Sequence, residues 1–124
     1  MLNMVIVGTG WWGMELGKAA HSLPDVAVVK GCFSLSKAEC ETFLAAAGGK
    51  IYGSFDDVLS DRSVDAVFLA TPHSLHWEQI IAAANAGKHV FCEKPMTLTV
   101  ETASAAIRAC EANSVVLGVG HNRR

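Results

Sequence analysis

Short unbroken apolar runs alternate along the chain with longer stretches in which apolar residues recur at helical spacing. Leu2–Val7 contains Met4, Val5, Ile6 and Val7 without a polar interruption. A strand with one face in water would alternate instead, so this run predicts a strand covered on both faces. Residues 26–33, 66–70, 89–92 and 115–119 are runs of the same kind, and a shorter strand is expected around 50–52.

Helices are predicted between these runs. One covers 11–22 and stops before Pro24, which cannot continue the hydrogen-bond ladder. A second opens with Ser36-Lys37-Ala38-Glu39, a capping-box pattern, and runs until Gly48-Gly49. A short helix over 55–59 has Ser54 as its cap, and longer ones span 74–86 and 99–113, with Gly87 where a C-terminal glycine belongs. Strand and helix strictly alternating point to an α/β fold. The expected architecture is one doubly wound, mostly parallel sheet with helices on both faces, because parallel neighbours need crossover helices.

Composition bounds this picture. At 124 residues the chain is sized for a single domain, and 51% hydrophobic with 18% charged residues is globular rather than disordered. A formal net charge of −2 gives no broad basic field for nucleic acid or an anionic membrane surface. No apolar run approaches the ~20 residues of a membrane helix, and no basic segment precedes the first hydrophobic stretch, so no signal peptide is read. Cys32, Cys40, Cys92 and Cys110 form no C-x-x-C, which indicates neither a zinc site nor a disulfide framework. Buried reduced thiols in a cytoplasmic protein are the expectation.

Candidate chemistry begins at Gly8-Thr9-Gly10-Trp11-Trp12-Gly13, a G-x-G-x-x-G turn preceded by a strand and followed by a helix. In that context Gly8 permits the tight turn, Gly10 admits a pyrophosphate and Gly13 lets helix and strand pack closely. The helix N-terminus directs amide N–H groups at the phosphates. A purely structural turn, or a related fold binding another nucleotide such as S-adenosylmethionine, is the alternative. Trp11 and Trp12 are candidates to border the cofactor or simply to pack. Selectivity for NAD usually needs an acid at the end of the second strand, about 20 residues beyond the turn. Here that region reads Ser34-Leu35-Ser36-Lys37, with no acid between Asp25 and Glu39. Ser34, Ser36 and Lys37 are possible donors to a 2′-phosphate, which gives NAD(P) with a slight lean to NADP. Ser36 as a helix cap and Lys37 as a solvated lysine weaken that lean.

Two further segments sit at strand ends, where open α/β sheets bind ligands. Ala70-Thr71-Pro72-His73-Ser74-Leu75-His76 follows the fourth strand and Glu93-Lys94-Pro95 follows the fifth. The spacing of His73 and His76 suits a metal on a helix face, but no third ligand follows nearby, so no metal site is expected. Together with the glycine turn, these segments resemble the N-terminal, NAD(P)-binding Rossmann domain of the Gfo/Idh/MocA oxidoreductases, the glucose–fructose oxidoreductase and inositol dehydrogenase family.

The resemblance implies a role for each matching residue. Lys94 is implied to hydrogen-bond the reacting substrate oxygen and assist proton transfer, with Glu93 and Pro95 positioning it beside the nicotinamide. Pro72 and His73, next to Thr71, would line the nicotinamide side, and His76 would lie near a ribose. Asn122 and Arg123 resemble the lead into a second domain. Independently, a lysine partly desolvated in a cleft loses some preference for its charged form, which suits proton transfer.

In that family a second domain supplies much of the substrate site, including a histidine, and none of it is assigned within these residues. The expectation is a dinucleotide-binding chain with little or no turnover of its own, whose full protein acts on a sugar, polyol or related hydroxyl/carbonyl compound. Self-association through apolar surface left by the missing partner domain is also expected. The competing class is a non-catalytic nucleotide-binding sensor or partner module, because fold alone does not separate the two. A methyltransferase finds no support in Glu93-Lys94-Pro95.

Overall fold

In the computed structural model, which describes residues 2–71, 76–93 and 99–120, strand and helix alternate throughout. The strands are β1 (Leu2–Val7), β2 (Ala27–Phe33), β3 (Lys50–Ile51), β4 (Ala66–Leu69), β5 (His89–Glu93) and β6 (Leu117–Gly120). Between them run α1 (Trp11–His21), α2 (Lys37–Ala47), α3 (Phe55–Ser60), α4 (His76–Asn85) and α5 (Val100–Ala112). Every strand pair is parallel and the spatial order is β3-β2-β1-β4-β5-β6. The winding therefore reverses between β1 and β4, which opens a crevice at their C-terminal ends.

The unbroken apolar run of β1 is explained by what covers it. Met4 and Ile6 pack into one cluster with Ala20 of α1 and Cys40, Phe43 and Ala47 of α2. Val5 and Val7 face the opposite cluster, with Val58 of α3, Ile80 and Ala83 of α4, and Ala106 and Cys110 of α5. All four β1 side chains are essentially inaccessible to solvent. Each such burial contributes roughly 1.5–3 kcal/mol, so β1 is the spine that holds both layers. All four cysteines are buried.

Local signals place most element ends. Ser54 caps α3 by accepting from the Asp57 amide at 3.0 Å. Gly48 ends α2 with φ +81°, and its N–H donates to the Leu44 carbonyl.

Three details differ from the sequence expectation. Val26 precedes the second strand and is exposed, while Val115 and Val116 precede the last one. The pairing decides this: β6 meets β5 in the register Val90↔Leu117, and the Val116 amide instead donates to Nδ1 of His89 at 3.0 Å. The capping box at Ser36 is only half formed. Ser36 Oγ accepts from the Glu39 amide at 3.3 Å, but the Ser36 amide donates to Ser34 Oγ at 3.2 Å rather than to Glu39. A complete box occurs at Thr99 and Thr102, at the start of α5.

Candidate functional site

The crevice predicted by the strand order is a cavity of about 430 Å³. Its floor is the glycine turn, where Gly8, Thr9 and Gly10 leave the end of β1. One wall is Phe33, Ser34, Leu35 and Ser36, beyond β2. The other is Ala70 and Thr71, beyond β4, backed by Gln79 of α4. The Thr71 hydroxyl donates to Oε1 of Gln79 at 2.5 Å, which ties the β4 loop to that helix. Glu39, in the first turn of α2, completes the rim.

Each glycine of the turn has a different job. Gly8 has φ +95°, and a Cβ there would lie 2.7 Å from the Ala70 carbonyl, so only glycine lets the turn pass so close to β4. A Cβ on Gly13 would overlap the carbonyl oxygen of Gly8, so the third glycine seats α1 against the turn. Gly10 is unlike both. A Cβ there would meet nothing within 4 Å, and its φ of −68° suits any residue. The protein's own packing does not require a glycine at position 10.

The start of α1 is electrostatically distinctive. Gly10 offers no side-chain cap, and no acid lies in the first turn. Among the described residues each of the other four helices begins with an acid: Glu39, Asp56 and Asp57, Glu78, and Glu101. The positive end of the α1 dipole thus meets no acid in its own first turn, and the cavity lies at that end of the helix. Thr9 adds an orphan group. It is 3% exposed, and its hydroxyl has no hydrogen-bond partner among the described residues. A buried hydroxyl left unpaired costs about 1–3 kcal/mol, so the arrangement is suited to a polar ligand that supplies the missing partner.

The structure therefore brings together Gly8, Thr9, Gly10, Ser34, Ser36 and Thr71 around one cavity, with Gly13 behind the turn. Ser34 and Ser36 each accept a backbone N–H and keep a hydroxyl proton to donate. Lys37 is exposed and does not line the cavity. Pro72, His73, Lys94 and Pro95 lie outside the described residues, as do Asn122 and Arg123, and so do the side chains of Trp11, Trp12, His76 and Glu93. Glu39 and Gln79 were not anticipated from the sequence as site residues. Their signal is positional only: each sits in the first turn or so of a helix that starts at a strand's C-terminal end. Among the described residues no group of three His, Cys, Asp or Glu is placed to hold a metal ion, and no helix is long and apolar enough to cross a membrane.

Residues 2–121 match the family described as GFO_IDH_MocA: oxidoreductase family, NAD-binding Rossmann fold. The chain belongs to this family. An uncharacterized oxidoreductase of Streptococcus pneumoniae is 36% identical over 121 residues, covering 98% of this chain and 32% of the relative. The 2,7-anhydro-N-acetylneuraminate hydratase of Mediterraneibacter gnavus is 34% identical, covering 97% of this chain and 31% of the relative. The NADP(+) scyllo-inositol 2-dehydrogenase of Bacillus subtilis is 39% identical over 75 residues, 60% of this chain and 21% of that protein.

Among solved structures, an NAD-binding protein from Listeria innocua superposes with a TM-score of 0.90 at 40% identity, over 98% of this chain and 36% of that one. The scyllo-inositol dehydrogenase of Lactobacillus casei, solved with NAD(H) and scyllo-inositol, gives 0.88 at 29% identity over 97% and 36%. The chain thus spans about a third of the length of its full relatives. As a member of this family it is an NAD-binding Rossmann domain of the oxidoreductase class.

Proposed function

We propose that the 124 residues form the cofactor-holding part of an NAD(P)-dependent oxidoreductase acting on a sugar, polyol or related hydroxyl/carbonyl compound. The observation that carries this reading is the start of α1: an uncapped, acid-free helix end behind a glycine with open space above its Cα. A diphosphate would be held there by the amides of the turn and first helical residues, with Thr9 Oγ1 offering one further hydrogen bond. Adenosine would lie toward Ser34 and Ser36, and the nicotinamide toward Thr71 and the 72–73 segment. The serine hydroxyls and the lack of an acid at the end of β2 give a slight lean to NADP.

The dinucleotide, when bound, supplies the hydride chemistry. The protein's part is orientation and charge. Lys94 is the proposed catalytic residue: its ammonium would hydrogen-bond the reacting substrate oxygen and pass a proton to or from it, while Glu93 and Pro95 fix its place at the end of β5. Names of relatives support the substrate class, since proteins similar to this chain act on inositols and an anhydro-sugar acid.

Because the match covers only a third of those relatives, substrate positioning is assigned to the rest of such proteins. The 124 residues alone should bind dinucleotide with little or no turnover. Exposed Ile107 and Val116, beside the edge strand β6, favour self-association, read as a mass that rises with concentration in light scattering. Calorimetric titration with NADH and NADPH tests the main reading. Saturable one-site binding of at least one is expected; heats no larger than dilution with either at millimolar concentration would overturn it.

A further inference from the structure

We propose that Glu39 limits the preference of this site for a 2′-phosphorylated dinucleotide, its carboxylate accepting the 2′-hydroxyl of the adenosine ribose and opposing a 2′-phosphate. The proposal rests on the dinucleotide reading above and adds the residue that discriminates.

Where a ribose-binding acid would ordinarily stand, at the end of β2, the chain has Ser34. The negative charge enters the site from the next helix instead. Glu39 is the only charged residue among those described that lines the cavity. It shares that wall with Ser34 and Ser36, the two hydroxyls best placed for the ribose. Lys37, the nearest cation in sequence, is exposed and stands off the cavity, so the site holds no described positive side chain to offset the carboxylate.

The half-formed capping box is the second observation. In a complete box the carboxylate at this position is consumed by the N-cap amide. Here the Ser36 amide is already taken by Ser34 Oγ, while Ser36 Oγ still holds the Glu39 amide. The backbone of Glu39 is thereby fixed at the rim. Its carboxylate makes no hydrogen bond or ion pair among the described residues. The chain does form a complete box elsewhere, at Thr99 and Thr102. Substituting a serine for the acid's usual partner role therefore leaves Glu39 free for a ligand.

A carboxylate accepts well from a ribose hydroxyl and repels a phosphate of charge near −2. It works against the donors of Ser34 and Ser36, so the wild-type chain should bind NADH and NADPH within about tenfold of each other.

The test is titration of the chain and of Glu39→Gln with NADH and NADPH, and with the fragments 5′-AMP and 2′,5′-ADP. Glutamine keeps the helix position but not the charge. Binding of NADPH and of 2′,5′-ADP should tighten about tenfold in the variant, while NADH and 5′-AMP stay unchanged or weaken. Equal shifts for both cofactors would mean Glu39 acts only through the helix start, and would overturn the proposal; so would no shift at all. Absence of binding by the wild-type chain to either dinucleotide would instead overturn the dinucleotide reading, and this proposal with it.

Discussion

Two neighbouring residues, Thr9 and Gly10, carry the most informative physical signals in the site. Both are placed as if for something the chain does not itself provide. Thr9 buries a hydroxyl without a partner, and Gly10 spends a glycine where its own packing asks for none. Thr9→Val keeps the shape and removes the orphan oxygen. Stability should rise by about 1 kcal/mol in urea unfolding, since no hydrogen bond is lost and a desolvated hydroxyl disappears. Dinucleotide affinity should fall severalfold in the same variant. A loss of stability, or affinity left untouched, would show that the hydroxyl serves the fold rather than the ligand. Residue identities at the turn were legible in the sequence because glycine spacing reflects backbone geometry, which is local. Glu39 and Gln79 were not, because what brings them to the cavity is the docking of α2 and α4 on the sheet. The half-formed box at Ser36 was illegible for a related reason: a hydroxyl two residues earlier competes for the same amide.

At the level of elements, the sheet and its helices followed the apolar pattern closely, and the misjudged ends lay where pairing overrides propensity. Val26 and Val116 reach the neighbouring strand only through their carbonyls, which accept from the Leu2 and Val90 amides, while the Val115 amide turns back to the Cys110 carbonyl of α5. The elements are also stitched by a polar cluster away from the cavity. Tyr52, following β3, donates its hydroxyl to Oδ2 of Asp61 at 2.7 Å, just past α3. The Ser63 hydroxyl and amide donate to Oδ1 at 2.7 and 2.9 Å. Buried Lys88 reaches the carbonyls of Asp61 and Val64, both at 2.8 Å, and so joins the start of β5 to the same loop.

The Ser63 hydroxyl, then the Tyr52 hydroxyl, hold the Asp61 carboxyl below the ordinary carboxylate range. Burial, then Asp61, pushes the Tyr52 phenol above its ordinary value of 10.0. The signs follow from linkage. The Asp61 contribution is present above its unfolded pKa of about 3.9 and is lost as pH falls toward the lower folded value. The Tyr52 contribution is complete below about pH 10 and is lost as pH rises beyond it. Tyr52→Phe should therefore lower stability by about 1 kcal/mol at pH 7 and flatten the decline above pH 10. Urea midpoints across pH check this; an unchanged alkaline limb would remove Tyr52 from the cluster's account. Burial likewise pushes the Cys32 thiol up to about 12, with Cys40 adding to it, which suits a packing residue rather than a nucleophile.

Across the whole molecule, a single topological fact organises the site: the reversal between β1 and β4 opens one crevice, and the glycine turn, the β2 serines and the β4 loop converge on it. The sequence marked the strand ends as the ligand side, whereas the order that brings these three segments together appears only in the fold. The proposed catalytic segment around Lys94 was legible only as a motif, and Lys94 lies outside the described residues.

The central claim is that the amides at the start of α1 hold a diphosphate, and Gly10→Ala tests it most directly. The added methyl meets no protein atom within 4 Å, so folding stability should stay within about 1 kcal/mol of the parent chain. The same methyl would occupy the space through which a phosphate reaches the backbone, so calorimetric affinity for NADH and NADPH should fall at least about tenfold. An alanine variant that folds as well and binds both dinucleotides as tightly as the parent would contradict the account.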